Sequence, residues 1–274
     1  MMPTFRRRRL ARRLRQMREQ TGWTLEEAAR RLDKTRSSLG RIETGQSRAD
    51  VHLARSMMDL YDHYDPELLD LVREANRPGW WTKYGIDDRG YISTETEASA
   101  LVEFSILNIP GLLQTEGYMR ALFSARKVRR EQLANDIAAR HHRQGRLTDE
   151  EFPLELAAII DEAALRRMVG GVEVMRDQLR HLVQVSELDT VSVQVLPNAA
   201  GAHPGMDGAF IILNFPEDDP PVMYVEYTNG SLQLEKPEEV ADARLVFERL
   251  RSEALSPGDS VTFIERVVDE LRGE

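Results

Sequence analysis

Thr24-Leu-Glu-Glu-Ala-Ala-Arg-Arg-Leu-Asp-Lys-Thr-Arg-Ser-Ser-Leu-Gly-Arg-Ile-Glu-Thr-Gly45 decides how this chain folds at its N-terminus. Thr24 and Glu27 have capping-box spacing: the hydroxyl can accept from the Glu27 N–H while the carboxylate reaches back. Leu25, Ala28, Ala29 and Leu32 then recur at helical spacing, predicting a helix over 25–32. Three residues later Thr35 offers a new cap, opening a helix with Leu39 and Ile42 inward and Gly45 as its close. Working outward, Leu10, Leu14 and Met17 mark an amphipathic helix over 5–20, ended at Gly22. Leu53, Met57 and Leu60 mark another over about 49–61. Asp65-Pro66 starts a fifth, running to about Ala75 on Leu68, Leu69 and Val72.

Two short helices joined by a tight turn and backed by a longer one form a helix-turn-helix unit. The segment from Gly22 to Gly45 resembles the Cro/repressor-like (XRE-type) family of bacterial transcription factors, most specifically in Arg41-Ile-Glu-Thr-Gly45. The resemblance implies that the second helix of the pair lies in the major groove of duplex DNA with its N-terminal residues at base edges. Thr35, Arg36, Ser37 and Ser38 hold those positions, with Thr24 at the start of the preceding helix. Arg36 suits bidentate contact to guanine, and the serine hydroxyls suit several edges. Arg41 is placed for a base or a phosphate; Lys34 and the cluster Arg6, Arg7, Arg8 and Arg9 are expected at phosphates. Two positions depart from the family pattern. Leu25 stands where a phosphate-touching Gln is common, and Asp33-Lys34 replaces the usual Gly and apolar residue of the turn. Gly40, inside the reading helix, is read as permitting close approach to another helix or to DNA.

Charge supports a polyanion as partner once it is divided. The 274 residues carry a formal net charge of −9, but residues 1–58 carry +9 and the other 216 carry −18. The length favours about two domains. The 41% hydrophobic content is ordinary for a globular chain, and the absence of cysteine excludes disulfides, thiolate nucleophiles and Cys-based zinc or iron–sulfur sites. No apolar run approaches the ~18 residues a membrane span needs, and no apolar segment follows the basic start as a secretory signal would require. A cytoplasmic, nucleoid-associated location is expected.

The division falls at residue 76: an all-α head of about five helices over 1–76 and an α+β body with a small mixed sheet over 77–274. Trp80-Trp81, after a Pro-Gly break, reads as an anchor at the domain junction rather than a ligand cage. Residues 82–96 read as loop or irregular connection. Helices are expected over 115–123, 129–145, 162–168, 172–185, 238–254 and 260–271. Some four strands are expected, among them 154–160, 191–196, 209–215 and 222–227.

Ile109-Pro-Gly-Leu-Leu-Gln-Thr115 carries a second resemblance, to an actinobacterial, WhiJ-like group of helix-turn-helix regulators with this signature in the C-terminal region. Trp80-Trp81, 140–147, Asp161-Glu-Ala-Ala-Leu165, Gln194-Val-Leu-Pro197 and Val225-Glu226 extend it over most of the body. The resemblance implies a developmental or antitoxin-like regulator, with a small neighbour-encoded protein as partner. Trp80, Trp81, Gln114, Tyr118, Arg140, Arg143 and Glu226 are the candidate partner or effector contacts. Glu226 faces either outward, as the polar half of an edge strand, or inward onto Arg140 or Arg143.

Catalysis is not expected. His141 and His142 point about 100° apart on one helix and do not chelate together, and no metal or cofactor motif is present. Asp161 and Glu162 are explained by a helix N-terminus as well as by acid–base work. The expectation is a sequence-specific DNA-binding regulator acting as a homodimer, whose body binds a protein or effector. The alternatives are an antitoxin that sequesters a small neighbour-encoded protein while repressing its own operon, and an enzyme with a DNA-targeting head.

Overall fold

A computed structural model describes residues 3–86, 90–125, 130–216 and 219–271, without the side chains of Arg130 and Glu131. The chain divides into two compact units. One holds the N-terminal residues to Lys83 together with the segment ending at Glu97; the other holds Tyr84–Ile86 and the chain from Ala98 onward.

The first unit contains α1 (Phe5–Gln20), α2 (Leu25–Arg31), α3 (Arg36–Glu43), α4 (Val51–Tyr61) and α5 (Pro66–Asn76). Each of α2 to α5 starts on a side-chain cap. The capping box at Thr24 is complete, Thr35 accepts from Ser38 N–H, Asp50 from Leu53 N–H, and Asp65 from Glu67 and Leu68 N–H. These local bonds satisfy the orphan donors of each first turn. Leu14, Leu39, Met57, Leu68 and Val72 then fill a single core, so the five-helix head has the expected elements. The stretch 82–96 departs from the expected loop. A 3-10 turn covers Trp80–Tyr84, and α6 (Tyr91–Glu97) packs into this unit with Ser93, Thr94 and Glu95 buried. Its inner face is polar, so it carries no apolar periodicity for the sequence to reveal.

The second unit is built on one mixed sheet. β1 (Ala100–Ser105), β2 (Glu155–Asp161) and β3 (Val191–Leu196) run parallel; β4 (Phe210–Asn214), β5 (Val222–Tyr227) and β6 (Gly230–Leu234) follow as an antiparallel meander, giving the order β3-β2-β1-β4-β5-β6. β1 joins the halves, pairing β2 in parallel and β4 in antiparallel. Six strands replace the expected four. β1 came from an apolar run without alternation, and β6 (Gly-Ser-Leu-Gln-Leu) has too few β-branched or aromatic residues to stand out.

The parallel strands are connected through α7 (Glu116–Ala125) and α8 (Arg130–Gln144), and then through α9 (Glu162–Arg166) and α10 (Val172–Val185). Two helices close the unit, α11 (Pro237–Glu253) and α12 (Pro257–Glu270). Phe104, Ile159, Phe210 and Ile212 pack with Val240, Phe247 and Leu250 of α11. On the opposite parity Leu101, Ile160, Val193 and Val195 are also buried, so the parallel strands are covered on both faces.

Candidate nucleic-acid interface

The helix-turn-helix unit is assembled by short-range chemistry. Thr24 N–H and its hydroxyl donate to Glu27 Oε2 at 2.9 and 2.8 Å, and Glu27 N–H returns a bond to Thr24 Oγ1 at 3.3 Å. These bonds hold the Glu27 carboxyl below the usual carboxylate range. α2 ends at Arg31, and Asp33 turns the chain with φ of 51°, a left-handed conformation that Asp tolerates better than most residues. Lys34 N–H then donates to Ala29 C=O at 2.9 Å, closing the turn.

Across this turn α3 buries Leu39 and Ile42 and turns Arg36, Ser37 and Arg41 outward; Ser38 is half-buried and Thr35, though exposed, is engaged as the cap. Lys34 is half-buried beside the start of α3. The structure therefore brings Thr35, Arg36, Ser37 and Ser38 to one helix start, with Arg41 on the next turn. A Cβ on Gly40 would sit 3.3 Å from Leu25 Cδ2, so the close approach foreseen at this glycine is to α2.

α3 is also pinned from behind. Arg18 of α1 donates through Nε and Nη2 to the Glu43 carboxylate, both at 2.8 Å, and through Nη1 to Trp23 C=O at 2.8 Å. The side chains of Arg18 and Glu43 are only 10% and 4% exposed. The bidentate bond to Glu43 raises the Arg18 pKa against the opposing effect of burial. Burial and the nearby Glu43 push the Tyr61 hydroxyl up to about 12. Tyr61 in turn meets Trp23 edge-on at 5.9 Å, and the Arg31 guanidinium lies 4.0 Å above the Trp23 ring. Sequence reasoning gave Arg18 and Glu43 no role. Glu43 lies within the most specific stretch of the motif, but an acid beside a reading helix signals nothing until its partner 25 residues away is known.

The arginines at the start of α1 have a different setting. Gly45, with φ of 73°, brings the end of α3 against α1: its Cβ position is 3.3 Å from Arg7 C=O and from Pro3 Cβ. Arg6, Arg7, Arg8 and Arg9 are all half-buried. Arg6 Nε donates to Glu97 Oε1 at 2.8 Å; Arg7 Nε to Ala75 C=O at 3.4 Å; Arg8 Nη1 to Pro3 C=O at 2.8 Å and Nη2 to Thr94 Oγ1 at 3.1 Å. Burial and then Arg48 lower the Arg7 pKa. Arg6, Arg7 and Arg8, expected at phosphates, thus donate within their own unit.

Several candidate residues of the body meet around the 109–115 segment. Gln114 is buried and donates to Ile109 C=O at 2.7 Å; its own side-chain oxygen accepts from Arg140, and its C=O accepts from Gln144 at 2.7 Å. Ile109 N–H donates to the Tyr118 hydroxyl at 3.2 Å, and Tyr118 is fully buried. Gln178, also fully buried, accepts from Thr115 N–H and donates to Leu113 C=O, both at 2.7 Å. The Arg140 guanidinium lies 4.9 Å from the centre of the Phe123 ring. Gln114, Tyr118 and Arg140 therefore hold a loop in place, and Gln178 completes the set. Arg143 is half-buried on α8. Glu226 is exposed on β5 opposite Ser231 and pairs with neither Arg140 nor Arg143; β5 is paired on both sides, and β6 forms the edge. Trp80 and Trp81 meet edge-on at 5.9 Å within the first unit, where Trp80 Nε1 donates to Thr96 at 3.0 Å and Trp81 is buried.

Asp161 and Glu162 sit at the end of β2. Asp161 caps α9 by accepting from Ala163 N–H at 2.8 Å and lies 3.6 Å from His203 Nε2. Glu162 accepts from Arg166 at 2.6 Å and from Asn198 N–H at 2.8 Å. Among the described residues no group of three or more His, Asp or Glu is placed to hold a metal ion, and no helix is long and apolar enough to cross a membrane.

Two family models match the chain: one for a helix-turn-helix domain over residues 9–72 and one for a domain of unknown function (DUF5753) over residues 88–266. No curated protein and no solved structure matches it.

Proposed function

The chain belongs to the DUF5753 family and carries a helix-turn-helix head, and from that premise we propose that it is a sequence-specific transcriptional regulator of the XRE type that reads duplex DNA with α3. The observation that carries this reading is the two-sidedness of α3. Its inner face is locked by Leu39, Ile42 and the Arg18–Glu43 pair, while Arg36, Ser37 and Arg41 project from the other. A rigid helix presenting a guanidinium and hydroxyls from its first turns suits direct readout of base edges. The +9 charge of residues 1–58 supports duplex binding, and the −18 of the rest keeps the body off the phosphates. One such head spans a short half-site, so the active form is a homodimer on a two-fold operator, working in the cytoplasm at the nucleoid.

The body is the partner- or effector-binding part and carries out no reaction in this reading. The carboxylates of Asp161 and Glu162 are engaged in capping and loop bonds, which favours an architectural role for them. The test is selection of bound fragments from genomic DNA by the full chain, followed by a gel shift with Arg36→Ala on the selected sequence. A bidentate guanine contact is worth about 1–3 kcal/mol, so affinity should fall about 5- to 150-fold with relaxed preference at one base pair. Unchanged affinity and preference would remove α3 as the reader.

A further inference from the structure

We propose that α6 is a releasable strap that holds the α1 arginines away from DNA, so that its detachment adds phosphate contacts and raises affinity for duplex; this rests on the head being a DNA-binding unit. Bonds run directly between the two helices. Phe5 N–H donates to Ser93 Oγ at 3.4 Å, Arg8 to Thr94 Oγ1 at 3.1 Å, and Arg6 to Glu97 Oε1 at 2.8 Å. These bonds are polar, and one of them takes up the Phe5 N–H of the first turn of α1. They thus compete for groups that phosphate oxygens satisfy equally well.

Location makes the competition relevant. The α1 start packs against Gly45, just past the C-terminal end of α3, so cations released there belong to the same unit as the helix proposed to enter the groove. The Glu97 carboxyl is only 20% exposed, and burial keeps its pKa above the ordinary range even with Arg6 and Arg9 nearby, Glu74 adding to the rise. Finally, Glu97 is separated from β1 of the acidic body by only Ala98 and Ser99. α6 is thus the element from which the chain passes directly into β1.

The experiment measures binding of the full chain to a 30-bp duplex of mixed sequence as a function of salt. Each added phosphate contact steepens the slope of log K against log[salt] by about 0.9. Glu97→Gln, which keeps the side-chain volume and removes the charge, should steepen the slope by about that amount. Adding Arg6→Ala to that variant should return it to the wild-type value. An unchanged slope in a Glu97→Gln protein that melts as cooperatively as wild type overturns the proposal, as does a steeper slope that survives loss of Arg6. Hydrogen exchange of the wild-type protein supplies a test free of any folding defect. Duplex should lower the protection of residues 91–97, and unchanged or increased protection there also overturns the strap. Absence of any salt-dependent binding by the wild-type chain would instead defeat the DNA-binding reading itself.

Discussion

Removing the Glu43 carboxylate should cost the head far more than a typical single change. Glu43→Ala leaves Arg18 buried with its bidentate acceptor gone, and breaking one side of a buried pair costs about 3–5 kcal/mol. The structure favours the lower end. Arg18 keeps the Trp23 carbonyl at 2.8 Å, and Glu19 lies 3.7 Å from its Nη2. For a unit of this size about 3 kcal/mol corresponds to a fall in Tm of about 12–24 °C. Differential scanning calorimetry of the full chain, with hydrogen exchange of α1 and α3 to assign the transition, measures it. The companion Arg18→Met with Glu43→Leu removes both charges and should recover most of the loss, because apolar side chains of similar volume replace buried pairs at little cost. A Glu43→Ala protein within about 1 kcal/mol of wild type would refute the clamp. A double variant no more stable than the single would refute the assignment of the loss to a stranded charge.

Other changes test separate links. Gln178→Ala strands Thr115 N–H and Leu113 C=O in the interior and should destabilise the body by about 2–4 kcal/mol in urea titration; a loss below about 1 kcal/mol would mean that the 109–115 segment is held by other contacts. Asp33→Val forces a β-branched residue into left-handed backbone and should cost about 1–2 kcal/mol, whereas Asp33→Gly should be neutral or stabilising by the same melt. Gly40→Ala should raise Tm, because the gain in helix propensity of up to about 1 kcal/mol outweighs a small shift of the flexible Leu25 tip; a lower Tm would show Leu25 to be locked. Glu97, faced by Arg6 and Arg9 on α1 and Glu74 on α5, has a folded pKa above its unfolded 4.5. Its charged form is the disfavoured one, so its contribution to the stability of the head is favourable below 4.5 and is lost as pH rises through the raised folded value. Comparing urea midpoints of wild type and Glu97→Gln across this range should show the difference, and identical pH profiles would refute it.

How much of this was legible beforehand depends on the reach of each interaction. α1, α10, β3 and β5 have the expected bounds because their periodicities and stop signals lie within the segments themselves. The helix-turn-helix pair was readable because two caps and a turn are encoded within a dozen residues of each other. α6 was read as loop because its buried face, Ser93, Thr94 and Glu95, is polar and takes its meaning from α1, almost ninety residues earlier. β6 gained its identity only from pairing with β5, since a short edge strand needs no apolar alternation of its own.

For the site the division is the same. The sequence by itself determined which residues stand at the start of the reading helix, because a capped turn followed by one amphipathic helix leaves only one set of positions facing out. It also determined that the net positive charge is confined to residues 1–58. Only the tertiary structure decided what each arginine does. Arg36 and Arg41 are exposed, Arg18 is buried on Glu43, and Arg6 and Arg8 are tied to α6. The physical reason is that a guanidinium looks the same in sequence whether it meets solvent, phosphate or a buried carboxylate. Its role is set by which acceptors the fold brings within about 3 Å of it.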